Sequence, residues 1–207
     1  MKLSSDNRFF SFMSLLGDLI FLNVLFLLTS IPILTIGTSF CALYLAVKKR
    51  IHGEESYISR DYLKAWKENL KGGVCIWSVL LPAIVAMVFF TAYIASHLTN
   101  LLAIILYSIL FIWLFLTLLY AFPLQATFIN TPFMIIRNSI ITALRHLPWT
   151  ILLFLATYIP WIFTLVFPDA LPVTALYWVL IGFSLSAVFS ALIMKHVFIF
   201  YLPEEQN

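Results

Sequence analysis

Four polar side chains set inside otherwise apolar stretches are the residues of this sequence best placed to do chemistry: Asp18, Asn23, Gln125 and Asn130. A charge at the centre of a bilayer-spanning helix costs about 2.5–3.5 kcal/mol on insertion scales, so a carboxylate in such a stretch needs either a function or a partner. A carboxylate and nearby amides could pass a proton or coordinate a cation. The helix-breaking run Pro32, Thr35, Gly37 could turn backbone carbonyls toward a ligand. A structural reading competes with this one. Asp18 would stay hydrated near an interface, while Asn23 and Gln125 would bond neighbouring helices at about 1 kcal/mol or less per contact.

Other chemistries find no support. There is no Gly-x-Ser-x-Gly elbow, His-Glu-x-x-His helix or Gly-rich phosphate loop. The four histidines, His52, His97, His146 and His196, are scattered without metal-ligand spacing. Cys41 and Cys75 lie in apolar stretches and read as small buried residues. Glu54-Glu55 reads as a solvated turn. No catalysis, cofactor or metal is expected. Nucleic acid is not an expected partner either, because a membrane surface accounts for the basic residues.

The elements that must position these groups are hydrophobic helices. Apolar residues make up 63% of the chain and charged ones 10%, against roughly 45–50% and 25% in soluble domains. About 20 apolar residues are needed to cross a ~30 Å core. The runs predict an all-α, polytopic transmembrane bundle of one domain, with about six spans: 10–30, 33–47, 74–96, 101–122, 150–167 and 173–201. The second is short and starts at a break. The first apolar run is too long for a signal peptide and lacks a small-residue cleavage site. With the N-terminus inside, Lys2, Arg8, the basic residues from Lys48 to Lys71, Arg137, Arg145 and Lys195 all fall at inner ends. The positive-inside rule then puts both termini in the cytoplasm. Trp77, Trp113, Trp149, Trp161 and Trp178 fit interfacial belts, with a ring-stacking path as the alternative.

Two stretches fit neither span nor loop. In 57–71, Ile58, Tyr62, Trp66 and Leu70 recur four apart, with Arg60, Lys64, Lys67 and Lys71 opposite, ahead of Gly72-Gly73. That spacing predicts an amphipathic cytoplasmic helix lying against lipid or a partner. Tyr57, Arg60, Tyr62, Lys64, Trp66, Lys67, Asn69 and Lys71 are its candidate docking residues. A second such helix, 133–147, follows Thr131-Pro132 and carries Arg137, Asn138, Arg145 and His146. Crossing, surface helix and crossing thus occur twice, which suggests a parallel internal repeat.

The residues Asn23, SIPILTIG from Ser30 to Gly37, Ala42-Leu43-Tyr44, Gly53-Glu54-Glu55 and RDYLKAWKENLK from Arg60 to Lys71 form a distinctive series. In this series the chain resembles the YesL-like family of bacterial integral membrane proteins, a group of unknown function, across the N-terminal third. The resemblance implies a multi-span protein of the bacterial cytoplasmic membrane, encoded beside ATP-driven carbohydrate uptake systems. It brings no catalytic residue with it. The expected role is a non-enzymatic accessory or regulatory component of carbohydrate uptake, with the bilayer and transporter subunits as partners. Small-solute or ion-coupled transport by the chain itself is the alternative.

Overall fold

A computed structural model describes residues 3–53, 57–96 and 101–201. All regular structure among them is helical. In hydrocarbon every backbone N–H and C=O must find its partner within the segment, so apolar runs of this length can only be helices. The first, α1 (Leu3–Thr29), is followed by a 3-10 turn at Ile33–Thr35, α2 (Ile36–Ile51), α3 (Ile58–Glu68), α4 (Leu70–Ser96) and α5 (Leu101–Thr127). Then come α6 (Pro132–Arg145), α7 (Leu147–Val166), a 3-10 turn at Pro168–Ala170, α8 (Leu171–Tyr177), a π turn at Trp178–Gly182 and α9 (Phe183–Phe198).

Among the described residues, five stretches are long and apolar enough to cross a membrane: Phe9–Thr29, Leu70–Ile94, Leu101–Thr127, Leu147–Val166 and Pro168–Phe198. Their large apolar side chains face outward, Phe89 and Leu165 among the most exposed. A surface of that kind suits acyl chains and not water.

The expected second span is different. α2 has 16 residues, about 24 Å at 1.5 Å per residue, which falls short of the core thickness. It is the buried axis of the molecule, with α1, α3, α4, α5 and α9 packed around it. Cys41, Ala42, Leu43, Tyr44, Ala46 and Val47 are all buried. Its start also lies in an unexpected place. The six-span layout puts the beginning of the second span on the outer side and that of the third on the inner side, yet Gly37 packs directly on the backbone of Gly73. The starts of α2 and α4 therefore lie at one level of the bundle, and α2 runs among the other helices.

Boundaries shift for related reasons. α3 ends at Glu68, and Asn69 donates its side-chain Nδ2 to Ala65 O (3.0 Å). Gly72 and Gly73, expected to stop the surface helix, lie inside α4. They are there to give room, since a Cβ on Gly72 would meet the Gln125 amide and one on Gly73 the backbone of Thr38.

Candidate functional site

The helix break organises the N-terminal half. Pro32 has no N–H to continue α1, and the chain turns back through Ile33–Thr35 into α2. The Thr35 hydroxyl lies 2.7 Å from both Thr29 O and Pro32 O, so these carbonyls are occupied and do not face a ligand. Thr29 Oγ1 stands 2.9 Å from Ser39 Oγ and 2.6 Å from Tyr62 Oη. Thr38 Oγ1 donates to Leu70 O (3.3 Å). The end of α1 and the starts of α2 and α4 therefore meet at one joint, and α3 is pinned to it by Tyr62.

That pinning corrects one expectation about α3. Its polar face is open, with Tyr57, Arg60, Lys64 and Lys67 exposed, and Lys71 at the start of α4 is exposed as well. Tyr62, however, is 0% exposed, Asn69 is buried and Trp66 is half-buried. The amphipathic period is as expected, but the apolar face is covered by α1 and α2 in place of acyl chains or a partner. Tyr62 is therefore a fold residue. Burial pushes its phenol up to about 12 from the ordinary 10, against the opposing pull of hydrogen bonds with Thr29 and Ser39. Since the folded state holds this proton more tightly than the unfolded chain, its contribution to stability is whole below pH 10 and lost between pH 10 and 12. Tyr62→Phe should lower unfolding free energy by about 1 kcal/mol at neutral pH. It should also flatten that alkaline loss, as read by unfolding midpoints across the pH range.

The polar groups within the spans do not converge. Arg50 Nε donates to Asp18 Oδ2 (2.6 Å) and Arg50 Nη2 to Ser14 Oγ (3.3 Å), so the carboxylate in α1 has a cation partner at the end of α2. Gln125 is half-buried with Oε1 unpartnered beside Gly72. Asn130 is exposed in the turn before α6. Among the described residues, these groups share no hydrogen-bond or ion-pair partner.

Asn23 has the most specific role. It is 0% exposed and faces the π turn. Its Nδ2 donates to Trp178 O (2.9 Å) and Val179 O (2.7 Å), and its Oδ1 accepts from the backbone N–H groups of Phe183 (3.0 Å) and Ser184 (3.0 Å). Trp178 with Phe183 and Val179 with Ser184 are pairs five apart, the spacing of a π-helical bond. The amide bonds both members of each pair, which uses its full donor and acceptor capacity. Sequence reasoning did not find Thr29, Ser39, Arg50 or the π turn as partners, because all are remote in the chain from what they bind.

Between α2, α4, α5, α7 and α9 lies a cavity of about 270 Å³. Tyr44, Trp77, Phe122, Tyr158, Trp161 and Phe183 wall it, and no charged residue does. Trp77 Nε1 is buried without a hydrogen-bond partner. Of the tryptophans, Trp77 and Trp161 line this space. Trp178 stacks on Trp161 at 4.1 Å and donates Nε1 to Thr164 Oγ1 (3.1 Å). Trp149 stacks on His196 at 4.7 Å, and Trp113 lines an outer groove between α4 and α5. Such a cavity suits an uncharged molecule with a flat or apolar face.

The joint, α3 and α4 coincide with the part of the chain that is similar to known proteins. The family model "Protein of unknown function, DUF624" matches residues 19–92, which run from the middle of α1 to near the end of α4. Neither the curated proteins nor the solved structures contain a match.

Proposed function

We propose that the chain is a non-enzymatic accessory subunit of an ATP-driven carbohydrate importer in the bacterial cytoplasmic membrane, offering α3 to its partner. The observation that carries this reading is the firmness of α3. Tyr62 holds it at the α1–α2 joint and Lys49 Nζ donates to Asp61 Oδ1 (3.3 Å), while Tyr57, Arg60, Leu63, Lys64 and Lys67 remain exposed. A helix fixed in advance loses little freedom on binding. Large aromatics and arginines contribute most at interfaces, and Tyr57 and Arg60 are the open ones here. Asp18 and Asn23 are already committed to fold contacts, which favours a supporting part over a coupled transporter. By the positive-inside rule, α3, α6 and the Lys195 end of α9 belong at the cytoplasmic face.

The test is capture. Tagged protein extracted in mild detergent from cells growing on an inducing sugar should bring importer subunits with it. Replacing Arg60, Lys64 and Lys67 together by Glu should cut recovery by about tenfold or more, in line with steering by complementary charge, while leaving the protein folded. Asp18→Asn, away from α3's open face, should capture as the wild type does. Intact importers recovered in a control but never with this protein would overturn the proposal.

A further inference from the structure

On the far side of the bundle, α6 and the ends of α5 and α9 enclose a separate pocket of about 310 Å³. Asn138, Thr142 and Arg145, at spacings of four and three, form one face of α6, and Asn130 and Tyr201 complete the polar lining over Phe128. Tyr201 Oη lies 3.2 Å from His146 Nε2, which closes one side. Arg145 is in none of the ion pairs among the described residues, which join Lys49 to Asp61, Arg50 to Asp18 and Lys64 to Glu68. Neither it nor Asn130 nor Asn138 makes a side-chain hydrogen bond there. The other half of the surroundings is greasy. Leu124, Phe128, Ile135 and Ile141 supply the apolar part of the lining, and Ile141 is exposed.

We infer that this pocket binds the phosphate of an anionic phospholipid, with Arg145 as the charged fork, Asn130 and Asn138 as further donors, and the apolar part of the lining, Leu124, Phe128, Ile135 and Ile141, against the start of the acyl chains. A guanidinium presents paired N–H groups that match phosphate oxygens, and basic pockets between membrane helices are known to take such headgroups. No carboxylate competes for Arg145 among the described residues. The apolar lining distinguishes a lipid from free phosphate, since an inorganic ion has no use for Leu124, Phe128, Ile135 and Ile141 in the wall of its site. The inference does not depend on whether the chain serves an importer.

Native mass spectrometry of the full-length protein in detergent, titrated with phosphatidylglycerol, phosphatidylcholine of the same chains, or inorganic phosphate, tests it. Phosphatidylglycerol should be held about tenfold more tightly than phosphatidylcholine, and Arg145→Gln should remove most of that preference, as expected for a hydrogen bond to a charged group. Arg137→Gln makes the same charge change on α6 outside the pocket and should leave binding unaltered. Asn138→Ala, which breaks no side-chain hydrogen bond among the described residues, should weaken phosphatidylglycerol severalfold and keeps the test open if Arg145→Gln does not fold. Equal losses for Arg137→Gln and Arg145→Gln, no preference over phosphatidylcholine, or displacement of lipid by inorganic phosphate would each overturn the assignment.

Discussion

Asn23→Leu is expected to destabilise the folded protein by about 2–6 kcal/mol, since it removes four buried hydrogen bonds that each contribute about 0.5–1.5 kcal/mol net. Single polar contacts between membrane helices average only about 0.6 kcal/mol, but that figure describes pairs in which the unfolded state finds substitutes. Here the two carbonyls and two N–H groups belong to a helix already opened at Trp178–Gly182. They can recover only by closing the turn, which must move Trp178 off Trp161. Asn23→Asp separates the halves of the interaction. Kept neutral by burial, its carboxyl retains the acceptor for Phe183 and Ser184 and one donor in place of the two to Trp178 and Val179, so its cost should fall between wild type and Leu. Unfolding in mixed micelles measures both, and a loss below about 0.5 kcal/mol for Asn23→Leu would contradict the role assigned to the amide.

Gly37→Val should be nearly as damaging, by about 3 kcal/mol or more, at the upper end of what overpacking costs in a filled core. A Cβ at this position would stand 2.6 Å from Gly73 O, 2.8 Å from Trp77 Cβ and 2.9 Å from a Phe122 ring carbon. Two of these belong to the α4 backbone or its first side-chain atom and cannot swing away, so α2 and α4 must separate. That separation would strain the Thr38–Leu70 bond and shift Trp77 at the wall of the central cavity. The same unfolding assay should show Gly37→Ala intermediate between wild type and Val. A neutral Gly37→Val would show that α2 and α4 do not pack this closely.

The long apolar helices were legible because hydrocarbon leaves the backbone no other option, and Phe9–Thr29, Leu70–Ile94, Leu101–Thr127, Leu147–Val166 and the stretch from Pro168 could be read from hydropathy alone. The 3.6-residue period of α3 was equally plain. What covers its apolar face was not, because Tyr62 inside protein and Tyr62 among acyl chains obey the same pattern. The position of α2 was hidden for a similar reason. Its apolar run reads like a short span, and only the contact of Gly37 with Gly73 shows that it starts level with α4, among the other helices. Glycines at both positions were a usable clue, although a motif search within one helix cannot pair residues from two. Nothing in Trp178–Gly182 marks a π turn, since its cause is an amide some 155 positions upstream. Asn130 and Arg145 could be noticed singly, but their sharing one pocket depends on how α6 folds back on α5.

The clasp between α1 and the π turn also orders events during synthesis. The helix that carries Asn23 is made some 155 residues ahead of the groups that satisfy its carboxamide. Until those residues follow, the amide and its four backbone partners lack one another, and docking of the later helix onto α1 joins them. Release from the insertion machinery before that step would leave both a wet amide and a gaping helix facing lipid, the form most exposed to membrane quality-control proteases.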